Sequence, residues 1–218
     1  RNMVVESMQA AVASNDGIRA EATYFNLIAA PGYPELMDEM ISLNKDKKEI
    51  AFVVGDAPLT LKSDTTSIKN WADNNLPADA YAGVYYPHGL STDLSGNDVV
   101  MPASAIALRT IAFSDQVSFP WFAPAGFDRG SLSFVLLTSI RVNQNDRNAL
   151  YDANINPIVK FPGENYVFFS QNTLQQASTA LESINVKRMV LEIKRQIVAI
   201  GNRILFEQNT PALRQRFI

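Results

Sequence analysis

Few residues in this chain have the type and spacing to do chemistry. Asp56 ends the run "AFVVGDAP", and a carboxylate at the carboxyl end of a strand is where an α/β enzyme places a catalytic or metal-binding group. The same Gly-Asp-x-Pro also makes a turn in which the aspartate caps nearby amides. No second carboxylate or histidine follows at a usable spacing, which favours the cap. His88, in "YYPHGLS", is the single histidine. It excludes a multi-histidine metal site and weakens any Ser-His-Asp scheme. Its place after a strand predicts a turn or surface residue. Nucleophile elbows, phosphate-binding loops and dinucleotide fingerprints are all missing. With no cysteine there is no thiolate nucleophile, thiolate metal site or disulfide, as suits a reducing compartment. No catalytic residue, metal ligand or cofactor is therefore assigned.

Two other stretches stand out. "FPWFAPAGFDRG" (119–130) packs aromatics, two prolines and two glycines around Asp128 and Arg129. Pro120 and Pro124 forbid a regular helix, and the segment is too apolar for an ordinary exposed loop. The expectation is a stiff wedge. Phe119, Trp121, Phe122 and Phe127 anchor it by burial, at roughly 1.5–3 kcal/mol for each fully buried ring. Gly126 and Gly130 supply positive φ or close approach, and Arg129 seeks a carboxylate. The second stretch is a basic helix near the C-terminus. Lys187, Arg188, Lys194, Arg195 and Arg203 outnumber Glu192 and Glu207, and Arg214 and Arg216 follow. This is either the solvated face of an amphipathic helix or a surface for an acidic partner.

The elements that must position these residues alternate in type. Helical patterns cover 3–13, 34–44 (entered through Pro34), 63–74 and 102–115. Apolar runs at 23–32, 49–58 and 78–89 read as buried strands, and "DLSGNDVV" as a loop. That order predicts an α/β fold with a mixed, largely parallel sheet flanked by helices over 1–130. From 131 to 218 the pattern gives an ambiguous apolar run, a short helix at "NQNDRNALYDANI", two strands around "PGEN" and a long helix over 185–206. Val186, Met189, Val190, Ile193, Ile197, Ile200 and Ile204 keep the helical period, and Leu191, Val198 and Leu205 form a second, narrower stripe. Both stripes are expected to hold the helix to its own domain, leaving its charges outward.

The chain has 218 residues, 47% hydrophobic and 19% charged, with a net charge of −3. That is enough to bury roughly 70% of the unfolded surface. The charge argues against a general nucleic-acid binder. No apolar run approaches the ~18 residues of a membrane span. The opening Arg1 and the closing "ALRQRFI" predict a fragment of something longer, truncated at both ends.

Several blocks in order resemble the tail sheath protein of contractile, T4-like bacteriophage tails. They are "FNLIAAPGYPE", "AFVVGDAP", "AGVYYPHGLSTD", "MPASAIALRTIAFSD…SFPWFAPAGFDRG", "INPIVKFPGENYVFFSQNTL", "INVKRMVLEIKRQI" and "ILFEQNT". The sequence departs from the family at "SFPWF" and "SQNTL". The resemblance implies a structural protein without cofactor. It implies a virion component, assembled in the host cytoplasm as a helical homo-oligomer, that jackets a tail tube. Contraction then drives the tube through the host envelope. It implies other sheath subunits, the tail tube protein, baseplate and tail terminator as partners, and neither nucleic acid nor membrane directly. It also implies an inner-radius position for the C-terminal region, so the basic residues above become the candidate tube or subunit interface. Two alternatives stay open: the sheath of a bacterial contractile injection or secretion system, and an α/β hydrolase-like or ligand-binding domain.

Overall fold

A computed structural model describes residues 1–62 and 64–217, without the side chains of Thr65, Arg216 and Phe217. The sheet begins with three parallel strands, β1 (Leu27–Ala29), β2 (Phe52–Asp56) and β3 (Ala82–Tyr86). β8 (Ile155–Lys160) pairs with β3 in parallel; β9 (Tyr166–Phe168) and then β6 (Ser131–Leu132) add antiparallel pairings, giving the order β1-β2-β3-β8-β9-β6. The fold class is as expected. The sheet crosses the boundary drawn at residue 130, however, because β8, β9 and β6 all come from the second stretch.

Helices cover both faces. One face carries α3 (Met37–Asp46), entered through a 3-10 turn at Pro34–Leu36, with α4 (Thr65–Asn75) and α7 (Gln144–Asp152). There Met40, Ile41, Ile68 and Leu150 pack with Val53, Val84 and Tyr86. The other face carries α5 (Ala103–Val117) and the first turns of α8 (Ile184–Ile204), where Ile106, Ile111, Ile184 and Leu191 pack with Phe52, Val54, Tyr85 and Phe168. Every residue of β2 and β3 is buried, which explains why these strands read as continuous apolar runs and not as alternation. Local chemistry fixes the helix starts. Asp64 accepts from Ser67 N at 2.8 Å to cap α4, and Asn143 with Asp146 forms a capping box on α7. The start expected at Ser63 lies outside the described residues.

Helices α1 (Asn2–Ser14) and α2 (Asp16–Arg19) precede the sheet, and α1 packs on α3. One expected loop is structured. "DLSGNDVV" is the turn and second arm of a hairpin between β4 (Gly89–Thr92) and β5 (Asp98–Met101), joined on the other side by β7 (Leu137–Thr138). Asp93 accepts from the backbone N–H of Ser95 and Asn97, both at 2.8 Å, and Gly96 takes φ +84°. A turn held by one aspartate joins arms too short for a periodic signal.

Candidate assembly interface

The residues that could have been catalytic are used to build the fold. Pro102 precedes α5 and offers no side-chain cap, so the first N–H groups of that helix need acceptors from elsewhere. The Asp56 carboxylate accepts from Ser104 N at 2.6 Å, Ser104 Oγ at 2.8 Å and Gly32 N at 2.7 Å. His88 Nδ1 accepts from Ala103 N at 3.3 Å; its Nε2 then carries the proton and donates to Ala57 O at 2.8 Å. Asp56 is thus a cap, but a tertiary one. His88 is buried, not the surface residue expected. Both line a cavity of about 730 Å³ that begins at the carboxyl ends of β2 and β3 and also touches Glu35, Trp71 and Asn74. Both side chains are thus occupied by groups of their own fold.

The proline loop is anchored differently from the expected wedge. Phe119, Trp121 and Phe127 are exposed, whereas Pro124 and Gly130 are buried. Phe119 and Trp121 lie flat on each other with centroids 4.7 Å apart and planes 2° from parallel. Short α6 (Gly126–Arg129) closes the loop. Gly126 takes φ +82°, and a Cβ on Gly130 would stand 2.6 Å from the Cα of Ala125, so both glycines are required by the backbone. Arg129 stacks on Phe122, 4.3 Å from the ring centre, and does not reach a carboxylate among the described residues. Asp128 is exposed.

The loop is held from outside by α8. Asn185 Nδ2 donates to Trp121 O at 3.3 Å, and Arg188 donates to Pro120 O at 3.2 Å and pairs with Asp115. Much of the basic helix therefore corrects the expectation. Lys187 and Arg188 are buried against their own domain, Lys187 with its Nζ 5.1 Å from the Tyr81 ring centre. Lys194 Nζ donates to the carbonyls of Lys48 and Glu49, two residues at φ +61° and +54°. That irregular turn turns its carbonyls toward α8, and a long flexible ammonium can reach them. Arg195 pairs with Glu192, and this hydrogen bond holds the Glu192 carboxyl below the usual carboxylate range. Arg203 is exposed; Arg214, in α9 (Pro211–Phe217), bonds Asn209 Oδ1 at 2.8 Å. The side chain of Arg216 lies outside the described residues.

The apolar stripe takes the place expected of the charges. At 100° per residue, Ile184, Lys187, Arg188 and Leu191 form the docked face, and the stripe from Val186 to Ile204 lies opposite. Ile193, Ile197 and Ile200 are 48%, 51% and 41% exposed, and Val198 and Leu205 of the second stripe are exposed as well. These side chains form an apolar patch with little cover among the described residues.

Residues 5–174 match the phage tail sheath protein central domain. The chain belongs to the phage tail sheath family. The tail sheath protein of Vibrio phage KVP40 is 38% identical over 106 residues, 49% of this chain and 16% of that protein. That of Enterobacteria phage T4 is 31% identical over 155 residues, 70% of this chain and 23% of that protein. Among solved structures, the contracted helical sheath of the anti-feeding prophage aligns at a TM-score of 0.71 and 22% identity, covering 94% of this chain and 54% of that one. The contracted sheath complex of an extracellular contractile injection system aligns at 0.72 and 23%, covering 91% and 53%. The chain thus spans under a quarter of the matched phage proteins and about half of the structural neighbours. The family match stops at 174, ten residues before α8 begins.

Sequence reasoning missed three features. Lys47, which donates to Ala20 O at 2.6 Å and Thr23 O at 3.0 Å, fell in "KDKK", a charge run with no distinguishing signal. Asp115 looked like one more helical polar residue until Arg188 reached it from 73 positions away. The outward direction of the α8 stripe did carry a signal: Lys187 and Arg188 interrupt the face that docks.

Proposed function

We propose that this sequence is part of a structural, non-enzymatic subunit of a contractile sheath, which polymerises around a tube and contracts to drive it through a cell envelope. The supporting observation is the exposed apolar stripe of α8, set opposite the helix's docked face in a chain of the tail sheath family. The bonding of Asp56 and His88 to backbone groups supports the non-enzyme reading.

Partners in this reading are other sheath subunits, the tail tube protein, the baseplate and the tail terminator, within a virion tail. A bacterial contractile injection machine is the second reading, favoured by the likeness to injection-system sheaths. The tube contact belongs to Arg195, Arg203, Arg214 and Arg216 in this scheme, with Lys194 tied partly inward. Lys187 and Arg188 drop out because their charges serve the domain itself. Exposed ionic contacts are worth at most about 1 kcal/mol each, weak singly and decisive when repeated along a helix. The test is Arg195→Glu with Arg203→Glu in the full-length protein carrying this sequence. Folding should be unchanged while sheath assembly on tubes falls. Normal jacketing at low and high salt would place these residues away from the tube.

A further inference from the structure

A cavity of about 390 Å³ lies between β7 of the small sheet and the facing ends of β8 and β9. Two cations line it, Arg141 and Lys160, and among the described residues no carboxylate does. Arg141 sits in the link between β7 and the Asn143 cap of α7. Thr138 Oγ1 donates to Ile140 O at 3.0 Å and braces that link. Lys160 ends β8 opposite Tyr166 of β9, and its ammonium lies 5.1 Å from the centre of that ring. Both cations are exposed, and neither pairs with a carboxylate among the described residues. Arg141 makes no hydrogen bond among them either.

The walls say what kind of ligand fits. The chain carries 22 acidic side chains against 19 basic ones, so a cavity with two cations and no carboxylate is not neutralised from within. Its remaining lining is largely apolar: Ile158 is buried, Val142 half-buried and Leu137 57% exposed at the rim. Water solvates the cations well and the apolar wall poorly. A bare inorganic anion would pair with the cations and leave that wall wet. A plain hydrocarbon would cover the wall and strip water from the cations without replacing it. A ligand with an anionic head and an apolar body satisfies both. The guanidinium fork of arginine bonds two oxygens of a carboxylate or phosphate at once, and lysine adds a point charge. The volume falls among small-molecule sites, which span about 300–1,000 Å³.

We propose that this cavity binds a small organic anion, a carboxylate or phosphate head on an apolar body. Arg141 and Lys160 hold the head, and Leu137, Val142 and Ile158 take the body. The site is distinct from the basic helix and does not rest on the sheath reading.

The test titrates the isotopically labelled 218-residue chain with phenylacetate, phenyl phosphate, benzyl alcohol and inorganic phosphate, following backbone amide shifts by NMR. At least one phenyl anion should bind about tenfold or more tightly than both benzyl alcohol and inorganic phosphate, a difference of about 1.4 kcal/mol. The tighter of the two identifies the head group. Shifts should centre on Thr138, Val142, Ile158 and Tyr166, and affinity should fall as salt rises. Arg141→Gln with Lys160→Gln should weaken binding about tenfold or more while leaving the unfolding midpoint unchanged, since both residues are exposed. If that pair disturbs folding, Arg141→Gln alone serves, because its side chain bonds nothing among the described residues; it should still weaken binding several-fold. Four results overturn the proposal: benzyl alcohol or inorganic phosphate binding as tightly as the phenyl anions, no shift at millimolar ligand, shifts confined to the apolar stripe of α8, or affinity unchanged in the glutamine variants.

Discussion

At the scale of single residues, the polar groups that look catalytic hold the fold together. Asp56 joins the turn after β1, the end of β2 and the start of α5 through three hydrogen bonds, the two to Ser104 buried and the one to Gly32 partly so. Such bonds contribute about 1.5–3 kcal/mol apiece, and donors left unpaired cost more. Asp56→Asn keeps the shape but removes the charge and an acceptor. It should lower unfolding free energy in urea by about 2–4 kcal/mol, and an unchanged midpoint would show that α5 does not depend on this cap. Trp121 is the opposite case. Its ring is 38% exposed and leans mainly on Phe119, so Trp121→Ala should cost about 0.5–1.5 kcal/mol, the range of an aromatic pair. A loss above 3 kcal/mol would mean that the loop is buried as deeply as its composition implies. The glycines of that loop are less forgiving. Gly130→Ala drives a methyl into the backbone of Ala125 and Gly126. It should destabilise by more than Trp121→Ala in the same assay, and a smaller loss would show that the loop yields to the methyl.

At the scale of elements, what the sequence makes legible depends on how many residues carry each signal. α3, α5, α7 and α8 announce themselves through period and start residues, and β2 and β3 through unbroken apolar runs between turn signals. The β4–β5 hairpin does not, because four-residue arms give too few alternations and one aspartate does the work of a turn motif. The two-residue β6 and β7 are set wholly by neighbours distant in sequence. Among candidate interface residues, existence is legible and direction is not. A helical wheel shows that α8 has an apolar and a basic side, but which side docks depends on Asp115, Tyr81 and the carbonyls of 48–49, all far away in the chain. Lysine and arginine turn inward here because each finds an acceptor or a ring at the end of its stem. The same geometry makes a prediction at Gly201. A helical glycine costs about 0.5–1 kcal/mol relative to alanine, and an added Cβ at Gly201 meets no atom within 4 Å, so Gly201→Ala should raise the stability of the isolated chain by that amount. A destabilised Gly201→Ala chain would show instead that the glycine serves the fold.

At the scale of the whole molecule, a domain closed on both faces of its sheet carries one long helix that is only half docked. From Arg195 onward nearly every α8 residue is exposed, and its apolar side chains have no cover within the described residues save where α9 touches it. Such a surface costs nothing in the assembled state and invites association in the free one. The full-length protein carrying this sequence offers the direct test. Purified and viewed by negative-stain electron microscopy, with and without tubes, it should form helical cylinders of uniform diameter. The Ile193→Ser, Ile197→Ser variant should stay as discrete particles while keeping the wild-type unfolding midpoint. Discrete monodisperse particles from the wild-type protein under every assembly condition, tubes included, would contradict the account.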